Sequence, residues 1–149
     1  MIGAWSIVRL CAAIATTWPV PVDRACPAAT AIVHHHGAHD PLLVAAIVYG
    51  ESRAIVGVRN GRVRGLMQTR GACGVGAAAE VLCGVRRLDE ARAWCRRRGT
   101  PTELCLLAAY GSGPRGPRLG LYRRPRLVLA RRARLRAIYS ATLNTRGAS

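Results

Sequence analysis

Hydrophobic residues recur at helical spacing through most of the chain, and this pattern predicts a mostly α-helical protein. The apolar segments favour helices over residues 27–36, 40–49, 77–98, 102–110 and 121–139. Residues 56–74 are rich in Gly and Arg and predict a loop with a turn at Asn60-Gly61, and a second loop is expected at residues 111–114. We therefore expect residues 26–139 to form one compact all-α domain, followed by a tail of residues 140–149.

Two of the predicted helices have specific boundary signals. Asp40 followed by Pro41 is typical of a helix start, because the carboxylate caps free backbone amides and proline fits the first helical position. The uncharged residues 42–49 also suit a short strand, but the start signal favours a buried helix. In the preceding helix, Pro27 is expected in the first turn and Gly37 as the stop. Later core candidates are Val81, Val85, Leu88, Trp94, Leu127, Leu135 and Ile138.

Residues 1–21 allow two interpretations. Residues 10–18 are apolar without interruption, but this run is shorter than the roughly 20 residues that a membrane-spanning helix needs. With Arg9 as its only preceding charge, the segment is interpreted as an export signal with an atypical charged region, or as an N-terminal anchor. The alternative is an extra helix that packs on the domain.

Charge is the most unbalanced property of the composition. The 149 residues contain 23 basic side chains, all of them Arg, against 7 acidic ones, which gives a formal net charge of +16. An all-Arg set partly reflects GC-rich coding, but this charge still favours anionic partners such as nucleic acid, acidic lipid headgroups or an acidic cell-wall polymer. The hydrophobic fraction of 50% excludes a low-complexity chain and indicates a buried core.

Six cysteines without a CxxC pair favour disulfides over structural zinc, and therefore an oxidising compartment. One pairing is expected from position alone. Cys95 ends one predicted helix and Cys105 lies at the start of the next, so a disulfide between them would join two antiparallel helices; two buried thiols are the alternative. His35 and His39 have the spacing of a zinc pair on a helix, but no further ligand accompanies them. We expect neither a metal nor a cofactor.

Glu51 is the most informative acidic residue. Its neighbours at helical spacing are Val44, Ile47 and Val48, which puts its carboxyl on an apolar face. Burial raises the pKa of a carboxyl group, and a carboxyl still protonated near neutral pH can donate a proton to a leaving glycosidic oxygen. The alternative is a solvated helix end with a loose ion pair to Arg53. Glu80, in contrast, is expected only to support the start of its helix.

Two later segments connect Glu51 to a known family. Gly65-Leu66-Met67-Gln68 begins fourteen residues after Glu51, and Ala109-Tyr110-Gly111-Ser112-Gly113 lies further along the chain. In this order and spacing, the chain resembles the soluble lytic murein transglycosylases, the SLT-type branch of the lysozyme-like superfamily. The motifs of that family are Glu-Ser after a buried helix, Gly-Leu-Met-Gln and Ala-Tyr-Asn-x-Gly. The resemblance covers residues 28–136 and implies a lysozyme-like SLT domain.

The resemblance also implies a role for each of five residues. Glu51 would be the single catalytic acid and base, cleaving the β-1,4 bond between N-acetylmuramic acid and N-acetylglucosamine with a 1,6-anhydromuramyl product. Ser52 would orient the Glu51 carboxyl, with a hydrogen bond to the helix backbone as the alternative. Met67, Gln68 and Tyr110 would bind the glycan, and packing in the core is the alternative for Met67 and Tyr110.

The chain departs from the family pattern at Gly111, where Asn is expected. A hydrolytic muramidase and an inactive wall-binding relative on the same fold therefore stay open as alternatives. The expected partners are peptidoglycan strands, with arginines contacting anionic envelope surfaces, and the expected location is the periplasm or the cell exterior. The arginines of residues 123–136 also suit phosphate binding, so an Arg-rich nucleic-acid-binding module is a further alternative, although no such motif is recognisable and no nucleic acid is expected.

Overall fold

The computed structural model describes residues 5–71 and 73–144, and these form seven helices and one short hairpin. The helices are α1 (Ile7–Thr17), α2 (Val22–His35), α3 (Pro41–Ser52), α4 (Ala77–Arg97), α5 (Glu103–Ser112), α6 (Arg115–Arg118) and α7 (Arg123–Asn144). The hairpin pairs β1 (Arg59–Asn60) with β2 (Val63–Arg64) in antiparallel orientation. The expected single, compact all-α domain is confirmed.

Side-chain caps fix where two of the helices near the site begin. One Asp40 carboxylate oxygen accepts a 2.9 Å hydrogen bond from the Leu42 amide, and Pro41 takes the first helical position, as the sequence predicts. The Thr102 hydroxyl accepts a 3.1 Å hydrogen bond from the Cys105 amide at the start of α5. Each cap satisfies a backbone donor that the first helical turn leaves unpaired.

Helix α3 is the centre of the core. Every residue from Leu42 to Val48 is at most 3% exposed, and the helix packs against α2 on one side and α7 on the other. Burial of each large apolar side chain stabilises the fold by roughly 2 kcal/mol, so this run fixes the helix firmly in place. Glu51 follows the run directly and therefore stands on a rigid support.

Helix α2 begins earlier than the sequence predicts. It starts at Val22, where the Pro21 carbonyl oxygen accepts hydrogen bonds from the Arg24 and Ala25 amides, and Pro27 lies inside the helix instead of in its first turn. Packing explains this earlier start. Ala25 and the buried alanines that follow it lie against α1, and their burial stabilises the additional turn of α2. The helix does end before Gly37, which has a φ of 61°.

Three further boundaries differ from the prediction. Residues 56–74 contain the β1–β2 hairpin, whose two-residue strands are too short to give an alternating pattern. Helix α5 continues through Gly111 and Ser112, which were predicted to be loop. Helix α7 runs to Asn144, and Leu127 faces solvent with 50% exposure while Leu135 is fully buried. The part of the predicted tail after Asn144 lies outside the described residues.

The N-terminal helix α1 packs against α2 and α7 and places Leu10 and Ile14 in the core. A disulfide between Cys11 and Cys26 joins it to α2. The first four residues of the segment that was interpreted as a signal, an anchor or an extra helix lie outside the described residues. Within residues 5–71 and 73–144, none of the helices is both long and apolar enough to cross a bilayer.

All six cysteines pair in disulfides. Cys95 and Cys105 join α4 to α5, which confirms the predicted pairing, and Cys73 and Cys83 join the long loop to α4. Together with the bond between α1 and α2, these disulfides indicate an oxidising environment outside the cytoplasm.

The buried His39 links two parts of the fold. Its Nε2 lies 2.7 Å from an Asp89 carboxylate oxygen, and its Nδ1 lies 2.6 Å from a guanidinium nitrogen of Arg92. Burial lowers the pKa of His39. Across the described part of the chain, no group of three or more His, Cys, Asp or Glu side chains is arranged to hold a metal ion.

Candidate active site

Glu51 lies in the last turn of α3, at the edge of a cleft. The helix ends at Ser52, one residue after Glu51, because Arg53 adopts a left-handed conformation with a φ of 55°, while its amide still donates to the Tyr49 carbonyl oxygen at 3.0 Å. This ending turns the chain away, so that the Glu51 side chain reaches the cleft without the next segment covering it.

The cleft lies between the end of α3, the end of α5 and the start of α7, and has a volume of about 280 Å³. Its walls are mostly apolar, with Ile47, Leu107 and Val128 among them. Glu51 is the one carboxylate among the described residues that line it. The polar groups beside it come from Tyr110, Ser112, Arg123 and Arg124. A concave, apolar site with few polar groups is the usual form of a ligand-binding site.

The environment of Glu51 favours its protonated form. Partial burial removes water from the carboxylate and raises its pKa above the ordinary value of 4.5. The positive charges of Arg124 and Arg131 act in the opposite direction, but the effect of burial is larger. A carboxyl group in this state can donate a proton, and its ionised form is stabilised by the positive charges of the two arginines.

Tyr110 forms the wall of the cleft next to Glu51. Its side chain is 7% exposed, and its hydroxyl donates a 2.6 Å hydrogen bond to the Met67 carbonyl oxygen. Burial, together with the negative charge of Glu51, raises the pKa of Tyr110, and Arg87 opposes this. The phenol therefore stays neutral, and its hydroxyl is neither free nor at the surface.

Residues 65–68 form a tight turn behind Tyr110. Gly65 has a φ of 85° and Gln68 a φ of 50°, and the Gln68 amide donates to the Gly65 carbonyl oxygen at 3.1 Å. The side-chain nitrogen of Gln68 donates to Gly65 at 2.7 Å and to Val58 at 3.1 Å. Its amide nitrogen thus supports the loop, and the residue does not line the cleft that holds Glu51.

Met67 and Ser52 also lie beside the cleft without lining it. Met67 is 1% exposed and packs on Gly84 of α4, where an added Cβ would overlap the methionine side chain. The Ser52 hydroxyl donates to the Val48 carbonyl oxygen at 2.9 Å, the backbone hydrogen bond that the sequence allowed as an alternative. Of the five predicted site residues, the structure brings Glu51 and Tyr110 to one cleft and places the other three in its supporting layer.

Sequence reasoning missed the part that Glu80 plays in this supporting layer. Glu80 does lie in the first turn of α4, but it is 3% exposed, and one of its carboxylate oxygens accepts hydrogen bonds from the Leu66 amide at 2.9 Å and the Gly57 amide at 3.2 Å. The sequence does contain a signal that Glu80 is buried, since Glu80 shares a helix face with Gly84 and the buried Leu88. An acid on the core face of a helix requires a buried partner.

Gly65 is what allows Glu80 to approach the turn. A Cβ on Gly65 would lie 2.8 Å from the Glu80 Cγ, which is closer than atoms pack. Glu80 thus connects α4 to the turn, and the turn connects through the Met67 carbonyl to Tyr110 and the cleft.

Comparison with known proteins identifies no relative of the chain. No model of a protein family matches it, and neither a curated protein nor a solved structure shows significant similarity. The function is therefore inferred from the chemistry of the cleft and from the sequence motifs.

Proposed function

We propose that the protein is a lytic transglycosylase that cleaves the glycan strands of peptidoglycan. The observation that carries the proposal is the position of Glu51: a half-buried carboxyl group with a raised pKa, in a cleft whose described lining contains no second carboxylate. The motifs that the sequence shares with the SLT-type enzymes support the same substrate.

In the proposed reaction, the protonated Glu51 donates its proton to the oxygen of the β-1,4 bond between N-acetylmuramic acid and N-acetylglucosamine. As this bond breaks, positive charge develops on C1 of the muramyl sugar. The ionised Glu51 then accepts the proton of the muramyl 6-hydroxyl while that oxygen bonds to C1 and closes the 1,6-anhydro ring. No water is consumed, and Glu51 returns to its starting state.

One carboxylate is sufficient for this sequence of steps. A hydrolytic enzyme uses a second carboxylate to activate water or to attack C1, whereas here the nucleophile belongs to the substrate. An intramolecular attack has a high effective concentration, which replaces the second catalytic group. The scarcity of acids in the cleft therefore favours transglycosylation over a hydrolytic muramidase.

The second candidate function is that of an inactive relative that binds the cell wall, and the reason is the glycine at position 111. It lines the cleft at the position where the family has Asn, so a local hydrogen-bonding amide is missing there. The protein would then still bind peptidoglycan through the cleft and its arginines, but without cleaving it.

The ion pairs made by arginines of α7 argue against the nucleic-acid alternative. Arg132 and Arg136 pair with Asp40, and Arg132 also pairs with Glu103, so part of this charge is already neutralised within the fold. A DNA-binding titration against salt is the test, because phosphate contacts give a steep dependence on salt.

The three disulfides suit export to the periplasm or the cell exterior, where the proposed substrate is found. The excess of Arg side chains suits attachment to the anionic envelope.

The proposal is tested by adding the purified, oxidised protein to isolated peptidoglycan and following the loss of turbidity. Glu51→Gln preserves the shape of the side chain and removes the proton, so we expect it to abolish clearing. Glu90→Gln, an exposed site on α4, is the matched control and should clear at the wild-type rate. Equal clearing by the wild type and Glu51→Gln would rule out the mechanism.

A further inference from the structure

A second cleft lies beside the first one, between the end of α1, the end of α3 and the middle of α7. We name it the arginine cleft; it has a volume of about 350 Å³ and is lined by Trp18, Tyr49, Arg53, Leu127, Arg131 and Arg134, together with Ala130. None of these residues is acidic. The cleft thus combines an aromatic wall with three guanidinium groups.

The aromatic wall is rigid. The Tyr49 ring stacks on Trp18 with 4.4 Å between the ring centres and an angle of 1° between the planes, and Trp18 is only 4% exposed. The Arg53 guanidinium lies 4.5 Å from the centre of the Tyr49 ring. Because Trp18 occupies one face of that ring, Arg53 covers the other, in the geometry of a cation–π contact.

Arg131 is placed by the absence of a side chain at Gly50. A Cβ on Gly50 would overlap a guanidinium nitrogen of Arg131, so glycine lets this group lie against the backbone of α3. The same guanidinium is 5.7 Å from the centre of the Tyr49 ring. The guanidinium groups of Arg53 and Arg131 therefore both lie within 6 Å of the centre of the Tyr49 ring.

The three arginines of the cleft make no ion pair within 4.0 Å to any described carboxylate. Arg132, which is adjacent to Arg131 on α7, differs from them because it forms ion pairs with both Asp40 and Glu103. Three positive charges that line one cleft repel each other, and an anion bound between them would relieve this repulsion. The planar guanidinium group also matches a carboxylate with two parallel hydrogen bonds.

The arginine cleft adjoins the Glu51 cleft along the contact of α3 with α7. Arg124 lines the Glu51 cleft and Arg131 lines the arginine cleft, and these two residues are seven positions apart on α7, which corresponds to roughly 10 Å along the helix. Arg131 also acts on the charge of Glu51. A group bound at the arginines would thus belong to the same ligand as the sugar beside Glu51.

We propose that the arginine cleft binds a carboxylate of the peptide stem that muramyl sugars carry. This inference rests on the proposed function and narrows the substrate to glycan strands that still bear peptide stems with free carboxylates. Denuded strands would fill the Glu51 cleft alone and bind more weakly.

The test compares two substrates, peptidoglycan with intact stems and glycan strands from which an amidase has removed them. The variants Arg53→Gln and Arg134→Gln each remove one charge of the cleft without touching Glu51, and Arg126→Gln removes one exposed charge of α7 outside both clefts. We expect the first two to raise KM about tenfold on intact peptidoglycan, with kcat nearly unchanged, and to leave cleavage of denuded strands as in the wild type. Arg126→Gln should leave both KM and kcat at their wild-type values on either substrate. Equal KM values for all three variants on intact peptidoglycan would overturn the proposal.

A binding measurement separates this proposal from the catalytic one. The probes are a synthetic stem tetrapeptide and its carboxyl-amidated form, titrated into the Glu51→Gln protein by calorimetry. Binding of the free acid that is lost on amidation and on Arg134→Gln supports the arginine cleft even if the wild type cleaves no glycan. If the wild type cleaves both substrates equally and binds neither peptide, the cleft proposal fails while the proposed function stands.

Discussion

The Tyr110 hydroxyl donates a 2.6 Å hydrogen bond to the Met67 carbonyl oxygen, and this bond joins two sequence motifs that lie 43 residues apart. On one side it fixes the Tyr110 ring as a wall of the Glu51 cleft. On the other side it fixes the turn of residues 65–68, which contributes no side chain to the cleft. These two segments thus form one unit of support around the Glu51 carboxyl group.

We expect Tyr110→Phe to lower both stability and activity. The change leaves the buried Met67 carbonyl without its donor, which reduces the free energy of unfolding by about 1–3 kcal/mol. Tyr122→Phe is the matched control, since the Tyr122 hydroxyl makes no hydrogen bond to other described residues. Urea denaturation of both variants checks this, and equal stability of the two would contradict a structural role for the Tyr110 hydroxyl.

Removal of the Glu80 carboxyl should loosen the turn behind the cleft. In Glu80→Ala, the buried amides of Gly57 and Leu66 lose their acceptor, and we expect a loss of about 3 kcal/mol. Glu80→Gln keeps one oxygen as an acceptor and should lose less.

Hydrogen exchange makes the Glu80 prediction specific. The Gly57 and Leu66 amides should exchange much faster in Glu80→Ala than in the wild type, at a denaturant concentration where both are folded. Glu90→Ala changes an exposed acid of the same helix and should affect neither stability nor exchange. A Glu80→Ala protein that is as stable as Glu90→Ala would refute the proposed support.

Glu51→Gln should make the protein more stable at neutral pH although it destroys activity. The folded-state pKa of Glu51 is higher than its unfolded value of 4.5, so the folded state binds the proton more tightly. Folding is therefore penalised progressively as the pH rises from 4.5 through the folded-state pKa, and the penalty is greatest above that pKa. Replacement by a neutral amide removes this penalty, so the free energy of unfolding should rise.

The control for this prediction is how the stability difference between Glu51→Gln and the wild type depends on pH. Below pH 4.5 both folded and unfolded Glu51 are protonated, so the advantage of Glu51→Gln should shrink towards zero there. Melting temperatures measured from pH 4 to pH 8 give the curve. A constant difference across this range would mean that the carboxyl group is not titrating in a shifted environment.

Gly111→Asn tests the departure from the family pattern. A Cβ at Gly111 meets no atom within 4 Å, so the cleft has room for the amide. Asn also has a higher helix propensity than Gly, and α5 should not lose stability. We expect faster peptidoglycan cleavage than in the wild type. Gly111→Ala fills the same Cβ position without the amide, and if it accelerates cleavage equally, the amide is not what the site lacks.

The sequence was sufficient to predict the all-α class, the start of α3 at Asp40 and the disulfide between Cys95 and Cys105, because each depends on neighbours in the chain. It also placed Glu51 and Tyr110 as site residues, and both line one cleft in the structure. The assignment of a role to either residue stays a prediction.

What the sequence missed depends on contacts between distant segments. The early start of α2 follows from packing on α1, and the exposure of Leu127 follows from the rotation of α7 that buries Leu135. The sequence predicts only a helix-start role for Glu80, because the two backbone amides that donate to its carboxylate lie 14 and 23 residues earlier in the chain. The spacing along α4 indicates that Glu80 needs a buried partner, but it does not identify which residues supply it.

The products of peptidoglycan digestion test the central claim most directly. The reaction is run in water enriched in ¹⁸O, and the released muropeptides are analysed by mass spectrometry. We predict muramyl ends that are lighter by one water than hydrolysis products and carry no ¹⁸O, with no products from Glu51→Gln. Muropeptides that have gained ¹⁸O-labelled water, or products that still form without the Glu51 carboxyl, would contradict it.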